Sequence, residues 1–443
     1  MKRKERYTTL GRTSGQIFGG RLLQNAIALM LSSGGTAILG LLFWTTATHL
    51  ASAAVVGKMS AEIAAMVLIA NLAQLSFGSI FERFLPVAGK QTRSFVMRAY
   101  ILCVVFALVA SVVYIFSGLA HNFIANSFNW HLLFIIASVL WTIFILQDSV
   151  LIGLRASRWV PVENILFSAA KLALLPALII ATKSQGIFLA WTAPVSVTII
   201  AVNWYLFRKR IPEHHAASLL SEKLPSTREL ILLAGAQYAT LLFNVFTPSI
   251  VSLILIERIG AVANAHYYVP QIITTSLALI NWSIVRSFLV EAASEPHALR
   301  HHSNVALAAL SAVLVPSVVI GVIFAPQILD IFGSTYARSG STLMRMLLLS
   351  LPGFAVTIFY SSYAWLDKTV WWMALREFLS LVIFLTVMLL LIGHFGILSV
   401  GIASLVSSGL QGAFFLPISI KRYRMTSNSA APSDEGDAAT QIG

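Results

Sequence analysis

The stretch NAIALMLSSGGTAILGLLFWTTATHLASAAVVGKMSAEIAAMVLIANLAQLSFGSIFERFLP, residues Asn25–Pro86, decides the fold. It reads as one long apolar span, a short polar break at His49–Lys58, and a second long span ending in Phe81-Glu-Arg-Phe-Leu-Pro86. Gly34 and Gly35 sit at the centre of the first span. An apolar run of about 18 residues or more crosses a bilayer as a helix. In hydrocarbon the backbone must satisfy its own hydrogen bonds, so a helix is the form such a run takes. A similar hairpin returns 209 residues later, with Asn244–Glu257 closing one span, Arg258–Ala265 as the break and Tyr267–Glu291 as the next span.

The rest of the chain has the same character. Of 443 residues, 58% are hydrophobic and 11% charged, where a soluble domain carries about 25% charged residues. The alternating segments of roughly ten residues that a membrane β-barrel needs are missing. Twelve spans are expected, at 25–48, 59–82, 98–119, 130–153, 160–182, 186–207, 229–256, 266–290, 303–325, 342–366, 370–393 and 396–418. The expected organisation is a basic N-terminus (1–24), a six-helix bundle (25–207), a polar linker (208–228), a second six-helix bundle (229–420) and a disordered tail (421–443). The first apolar run starts late and is long, which reads as an uncleaved first helix rather than a cleaved signal.

Charge tests this count. Cytoplasmic connections carry an excess of Lys and Arg. With the N-terminus inside, the inner segments hold Lys2, Arg3, Lys4 and Arg6, then Arg83, Lys90, Arg93 and Arg98, then Arg155 and Arg158, then Arg208, Lys209 and Arg210, and finally Lys421, Arg422 and Arg424. The opposite connections carry single charges, such as Lys58, Lys183, Arg258 and Arg338, or none. The alternation predicts an even number of spans with both ends cytoplasmic. The net charge of +13 is therefore spent on orientation. The basic residues do not gather on one amphipathic face, so no nucleic-acid partner is expected. The single cysteine, Cys103, rules out a disulfide framework within the chain. No P-loop, Rossmann or GxSxG motif and no metal-ligand spacing is evident, so neither a cofactor nor a metal is expected and no enzyme is read.

Polar residues inside spans mark either a wet interior or helix packing. Asn71, Gln74, Gly78 and Glu82 share one face of the second span by helical spacing. Gln237, Thr240, Asn244 and Thr247 do so in the seventh, Gln271, Thr274, Ala278 and Asn281 in the eighth, and Asn164, Ser168 and Lys171 in the fifth. Four such stripes, from both halves, favour a hydrophilic cavity over packing alone. Lys171 lies mid-span and needs a partner or water, with Asp148 and Glu163 nearest in sequence. Gly34, Gly35 and Pro248 lie in the first helix of each half and read as hinges or as static kinks.

Three stretches carry a family resemblance. They are Leu39–Phe43 through Val56-Gly57 to Arg83–Pro86; Asp148–Arg155 to Lys171; and Ile328–Gly333 with Tyr336-Ala337 and Leu343–Arg345. With the span layout, they make the chain resemble the polysaccharide-flippase branch of the multidrug/oligosaccharidyl-lipid/polysaccharide (MOP) exporter superfamily, whose fold is MATE-like. Val56 departs from the pattern, which often has an aromatic before the glycine. The resemblance implies a transporter of a bacterial or archaeal plasma membrane. It would turn a polyprenyl-diphosphate-linked oligosaccharide from the inner to the outer leaflet by alternating access, for cell-surface polysaccharide such as lipopolysaccharide O-antigen or exopolysaccharide. The implied partners are that glycolipid, membrane lipid, a glycan polymerase and glycosyltransferases. Candidate contacts to phosphate or sugar are Lys171, Arg155, Arg158 and Arg286, with Asn71, Gln74, Gln237, Asn244, Gln271 and Asn281 for sugar hydroxyls. Asp148 and Glu82 are candidates for ion coupling. A cation-coupled multidrug antiporter of the same superfamily is the alternative, although residues 25–48 lack the acid expected in its first span. A membrane glycan polymerase or glycosyltransferase is the alternative of another class, and the short outer loops speak against it.

Overall fold

The structure, a computed structural model, describes residues 35–117, 127–217, 235, 238, 247–294, 298–366 and 370–428. Within them the regular structure is helical: α1 (35–50), α2 (Ala53–Ala73), α3 (Phe77–Phe84), α4 (Thr92–Phe116), α5 (Phe128–Gly153), α6 (Trp159–Thr182), α7 (Gly186–Tyr205), α8 (Ile211–Ala217), α9 (247–258), α10 (Ala261–Ser294), α11 (Leu299–Ile323), α12 (Ala325–Asp330), α13 (Ser334–Leu366), α14 (Val370–Phe395) and α15 (Leu398–Asn428). Nine stretches among the described residues are long and apolar enough to cross a membrane, and one of them, Trp159–Ala216, contains both α6 and α7. They hold ten of the twelve expected spans; the first and seventh are described only in part. The chain is an all-α polytopic membrane protein.

Local chemistry explains the ends. The Ser52 and Ser127 side chains accept from the backbone N–H groups of Val55 and Trp130 and so start α2 and α5. Ser52 shortens the polar break, so α2 begins at Ala53, six residues before the expected start. The expected linker is helical at its beginning. A π-turn, Leu206–Arg210, joins α7 to α8, and Arg210 pairs with Glu213 at 2.9 Å one turn on. Inside the spans, hydroxyls bond back to their own helix, as Ser138 does to Phe134 O and Thr192 to Phe188 O.

The described residues group into two compact units. One is drawn from Met1–Ile273 and Pro326–Ser341, the other from Thr274–Ala325 and Thr342–Gly443. Their boundaries fall within α10, α12 and α13. In the first unit, Phe81, Leu85, Val96, Cys103, Leu146 and Val150 form a core joining α3, α4 and α5. One crossing there is set by Gly57. A Cβ at Gly57 would stand 1.7 Å from Ala261 O, so only glycine lets α2 approach α10 this closely. Asn264 fixes the crossing by donating to Gly57 O at 2.8 Å and to Ser60 Oγ at 3.1 Å. In the second unit, Val285, Phe288, Leu310, Ile358, Phe359 and Tyr363 pack together. A Cβ at Gly353 would stand 2.4 Å from Ser408 O, so α13 and α15 meet backbone to backbone. Outward faces are apolar, as on α4, where Ile101, Val105, Val109 and Phe116 are exposed as lipid-facing residues are.

Candidate functional site

The second expected span is not one helix. Leu75 and Ser76 have φ of 48° and 61°, the left-handed region, and divide it into α2 and α3. Neither residue is glycine, so the break is held by its surroundings. The Leu72 carbonyl accepts from the Tyr238 hydroxyl at 2.7 Å, and the Gln74 carbonyl accepts a weak bond from Cys103 Sγ at 3.6 Å. The break corrects the expected single face. Asn71 and Gln74 stay together, Gln74 Nε2 donating to Asn71 Oδ1 at 3.0 Å, while Glu82 belongs to a separate helix and is exposed. Discontinuous helices in membranes are tolerated where protein or water takes up the freed backbone groups.

A second polar group joins α5, α6 and α7. Asn203 Nδ2 donates to Gln147 Oε1 at 2.8 Å, and Gln147 Nε2 donates to Glu163 Oε1. Asn164 Nδ2 donates to Asp148 Oδ2 at 3.2 Å. Asp148 Oδ1, Glu163 Oε2 and Asn203 Oδ1 are buried with no partner among the described residues. Two neighbouring carboxyl groups are thus held by amides, with no basic group among the described residues paired to either. Glu62 is a third interior acid. It is fully buried on α2, accepts from Trp130 Nε1 at 3.4 Å, and leaves Oε2 without a partner among the described residues. Glu62 is the one acid in Ala53–Ala73, a signal that the reading by stripes passed over.

Lys171 is 5% exposed and faces inward from α6 with Ser168. The expected pairing with Asp148 or Glu163 does not occur. Its ammonium makes neither a hydrogen bond nor an ion pair among the described residues. It lies instead against aromatic rings, with Nζ 3.6 Å from the Trp191 centroid, 5.0 Å from Phe167 and 5.3 Å from Phe43. The π-face attracts a cation most where water is excluded. Trp44 and Trp141 extend the cluster, at 6.0 and 6.1 Å from Trp191. The aromatics come from α1, α5, α6 and α7, and this enclosure has no linear signature.

The other candidates are placed apart. Arg155 and Arg158 are exposed at the tight α5–α6 turn, where Arg155 has φ 54°. The 13 residues from Arg158 to Lys171 span about 20 Å along a helix, so neither arginine shares the Lys171 cluster. Gln271 is half-buried on α10, and Asn281, 1% exposed, has Oδ1 without a partner among the described residues. The Arg286 side chain, Gln237, Asn244 and Gly34 lie outside what is described. Gly35 is helical at the start of α1 and Pro248 near the described start of α9. Among the described residues no group of three or more His, Cys, Asp or Glu side chains can hold a metal ion.

No protein-family profile matches the chain, and no curated protein matches it. Solved structures do. The inward-facing conformation of a multidrug resistance MATE family transporter of the MOP superfamily aligns over 92% of this chain and 100% of its own, with TM-score 0.65 and 15% identity. The outward-facing conformation of such a transporter aligns over 91% and 95%, with TM-score 0.58 and 15% identity. A MOP superfamily transporter from Pyrococcus furiosus Vc1, described as having a binding pocket of reverse polarity that suggests a different function, aligns over 91% and 95%, with TM-score 0.58 and 14% identity. The chain thus has the fold of the MATE family transporters of the MOP superfamily.

Proposed function

We propose that this chain is a membrane transporter that turns a polyprenyl-diphosphate-linked oligosaccharide from the inner to the outer leaflet by alternating access. The two halves 25–207 and 229–420 would rock about a central path, with both termini cytoplasmic. The observation that carries the reading is Lys171, an interior ammonium with no carboxylate partner among the described residues. A carrier of organic cations has no use for an uncompensated positive charge on its path, whereas an anionic glycolipid head does. The Pyrococcus protein, with a pocket of reverse polarity on the same fold, supports a change of cargo without a change of architecture. Asn71, Gln74, Gln237, Asn244, Gln271 and Asn281 are proposed to bond sugar hydroxyls, and Arg286 to contact phosphate. Arg155 and Arg158, exposed at a turn, fit the approach to the path rather than its interior. Membrane lipid, a glycan polymerase and glycosyltransferases complete the proposed setting of cell-surface polysaccharide synthesis.

The test is reconstitution. Purified protein in liposomes should move a labelled lipid-linked oligosaccharide between leaflets, and Lys171→Ala should lower that rate without lowering membrane abundance. Substrate that stays in one leaflet defeats the reading. A second reading, a cation-coupled antiporter of small molecules, is favoured by the interior acids Glu62, Asp148 and Glu163. Proton- or sodium-driven efflux of an organic cation, lost in Asp148→Asn, would select it. Loss of glycolipid flipping in the same variant would instead make Asp148 the coupling residue of the first reading.

A further inference from the structure

The Lys171 cluster presents donors that no acceptor among the described residues meets. Besides the ammonium, the indole N–H groups of Trp44 and Trp191 are buried with no acceptor among the described residues. Trp44 is fully buried and Lys171 nearly so. An unsatisfied donor is costly in an interior. Two of them, on the Trp44 and Trp191 rings 6.0 Å apart, lie in one aromatic cluster with the ammonium, and their hydrogen-bonding capacity is unmet among the described residues. What completes such a site accepts hydrogen bonds and carries negative charge.

We infer that the cluster is a receptor for a single oxyanion carried on a sugar ring, a carboxylate-bearing pyranose of the transported glycan, rather than a clamp for the diphosphate. The inference rests on the flippase reading for the origin of the sugar, and on the cluster alone for its chemistry. Charge argues for one oxyanion. Lys171 is the one cation the cluster is seen to hold, the guanidinium forks of Arg155 and Arg158 are exposed elsewhere, and diphosphate recognition favours forked or multiple cations. Shape argues for a ring. The Lys171 ammonium covers the Trp191 face at 3.6 Å. A carboxylate that draws the ammonium off that face exposes it, and an aromatic face suits the C–H side of a pyranose. The indole N–H groups then supply direction and the ammonium supplies charge, so a neutral sugar of the same shape leaves a cation uncompensated.

The test is tryptophan fluorescence titration of the full chain in lipid nanodiscs. The probes are a glucuronate-containing disaccharide, its neutral carboxyl-reduced counterpart, and inorganic pyrophosphate. A hydrogen-bonded charged contact is worth about tenfold to a hundredfold in affinity, so the acidic disaccharide should bind at least about tenfold more tightly than the neutral one. Lys171→Met should abolish that preference and leave the weak neutral binding in place. Should Lys171→Met fail to fold, Lys171→Arg should keep part of the preference, and Trp44→Phe, which keeps a ring and removes one N–H, should reduce it severalfold. Lys171-dependent binding of pyrophosphate more tightly than of the acidic sugar overturns the inference in favour of a phosphate site. Equal binding of acidic and neutral sugars overturns it, as does no binding of either, because the cluster is then packing. Acidic-sugar binding alongside failed glycolipid flipping keeps the receptor and removes only the flippase reading.

Discussion

Gly57→Ala is the sharpest structural perturbation available in the first unit. The added Cβ would stand 1.7 Å from Ala261 O, 2.7 Å from Ala261 C and 3.0 Å from Ala265 N. Ordinary contact begins at 3.4 Å, so α2 and α10 must part by about 1.7 Å. That movement stretches the Asn264 bonds to Gly57 O and Ser60 Oγ, now 2.8 and 3.1 Å, beyond hydrogen-bonding range. Overpacking costs about 1–3 kcal/mol, and each side-chain hydrogen bond between membrane helices adds about 0.6 kcal/mol. The sum, about 2–4 kcal/mol, opens the crossing about 30- to 700-fold more often. The assay uses Ala61→Cys in a Cys103→Ser background, since Cys103 is the one native thiol and Ala61 is fully buried one turn beyond Gly57. A water-soluble maleimide should label that thiol at least tenfold faster when Gly57→Ala is added. Asn264→Ala should have a smaller effect, because it removes the bonds and leaves the backbone approach. Equal labelling with and without Gly57→Ala, or a larger effect from Asn264→Ala, refutes the argument that backbone proximity governs this contact.

Ser76→Gly should stabilise the protein by about 1 kcal/mol in SDS-unfolding titrations, because glycine adopts the left-handed conformation of Ser76 without penalty; a loss of stability would mean that the buried Ser76 hydroxyl outweighs the strain. Gly353→Ala should destabilise the second unit by about 1–3 kcal/mol by forcing α13 from Ser408 O, read as reduced yield of folded protein on size-exclusion chromatography. Asn71→Cys, in the same Cys103→Ser background, should react with a water-soluble thiol reagent if its stripe lines a hydrophilic path; no labelling under any substrate condition would return Asn71 to helix packing.

Much of the helix layout is legible in the sequence because hydropathy and positive charge act residue by residue along the chain. Span positions, the all-α class and the inward turn of Asn164, Ser168 and Lys171 follow from such local properties. The site does not. The break at Leu75–Ser76 carries neither glycine nor proline, and its carbonyls receive further bonds from Tyr238 and Cys103 elsewhere in the chain. Asp148 and Glu163 are near Lys171 in sequence yet bind amides, because α6 presents Asn164 to Asp148 and α5 presents Gln147 to Glu163, with Asn203 of α7 holding Gln147 in turn. Arg155 and Arg158 look like companions of Lys171 until helix rise separates them. Trp44, Trp141 and Trp191 read as ordinary apolar filling, and only the folded chain gathers them around an ammonium.

The unpaired donors of that cluster have a consequence for thermal stability. A buried charge without a counterion is a defect in an empty protein, and an apolar side chain of similar length removes it. Lys171→Met should therefore melt at a higher temperature than the natural protein when both are ligand-free. A cargo that completes the cluster binds the folded state alone, so it should raise the melting temperature of the natural protein as its concentration passes the dissociation constant. The order of stabilities should then narrow or reverse, because Lys171→Met has no charge left to satisfy. Melting curves taken across a panel of acidic and neutral glycans would rank cargoes without any transport measurement, with the instability of the empty site serving as the signal.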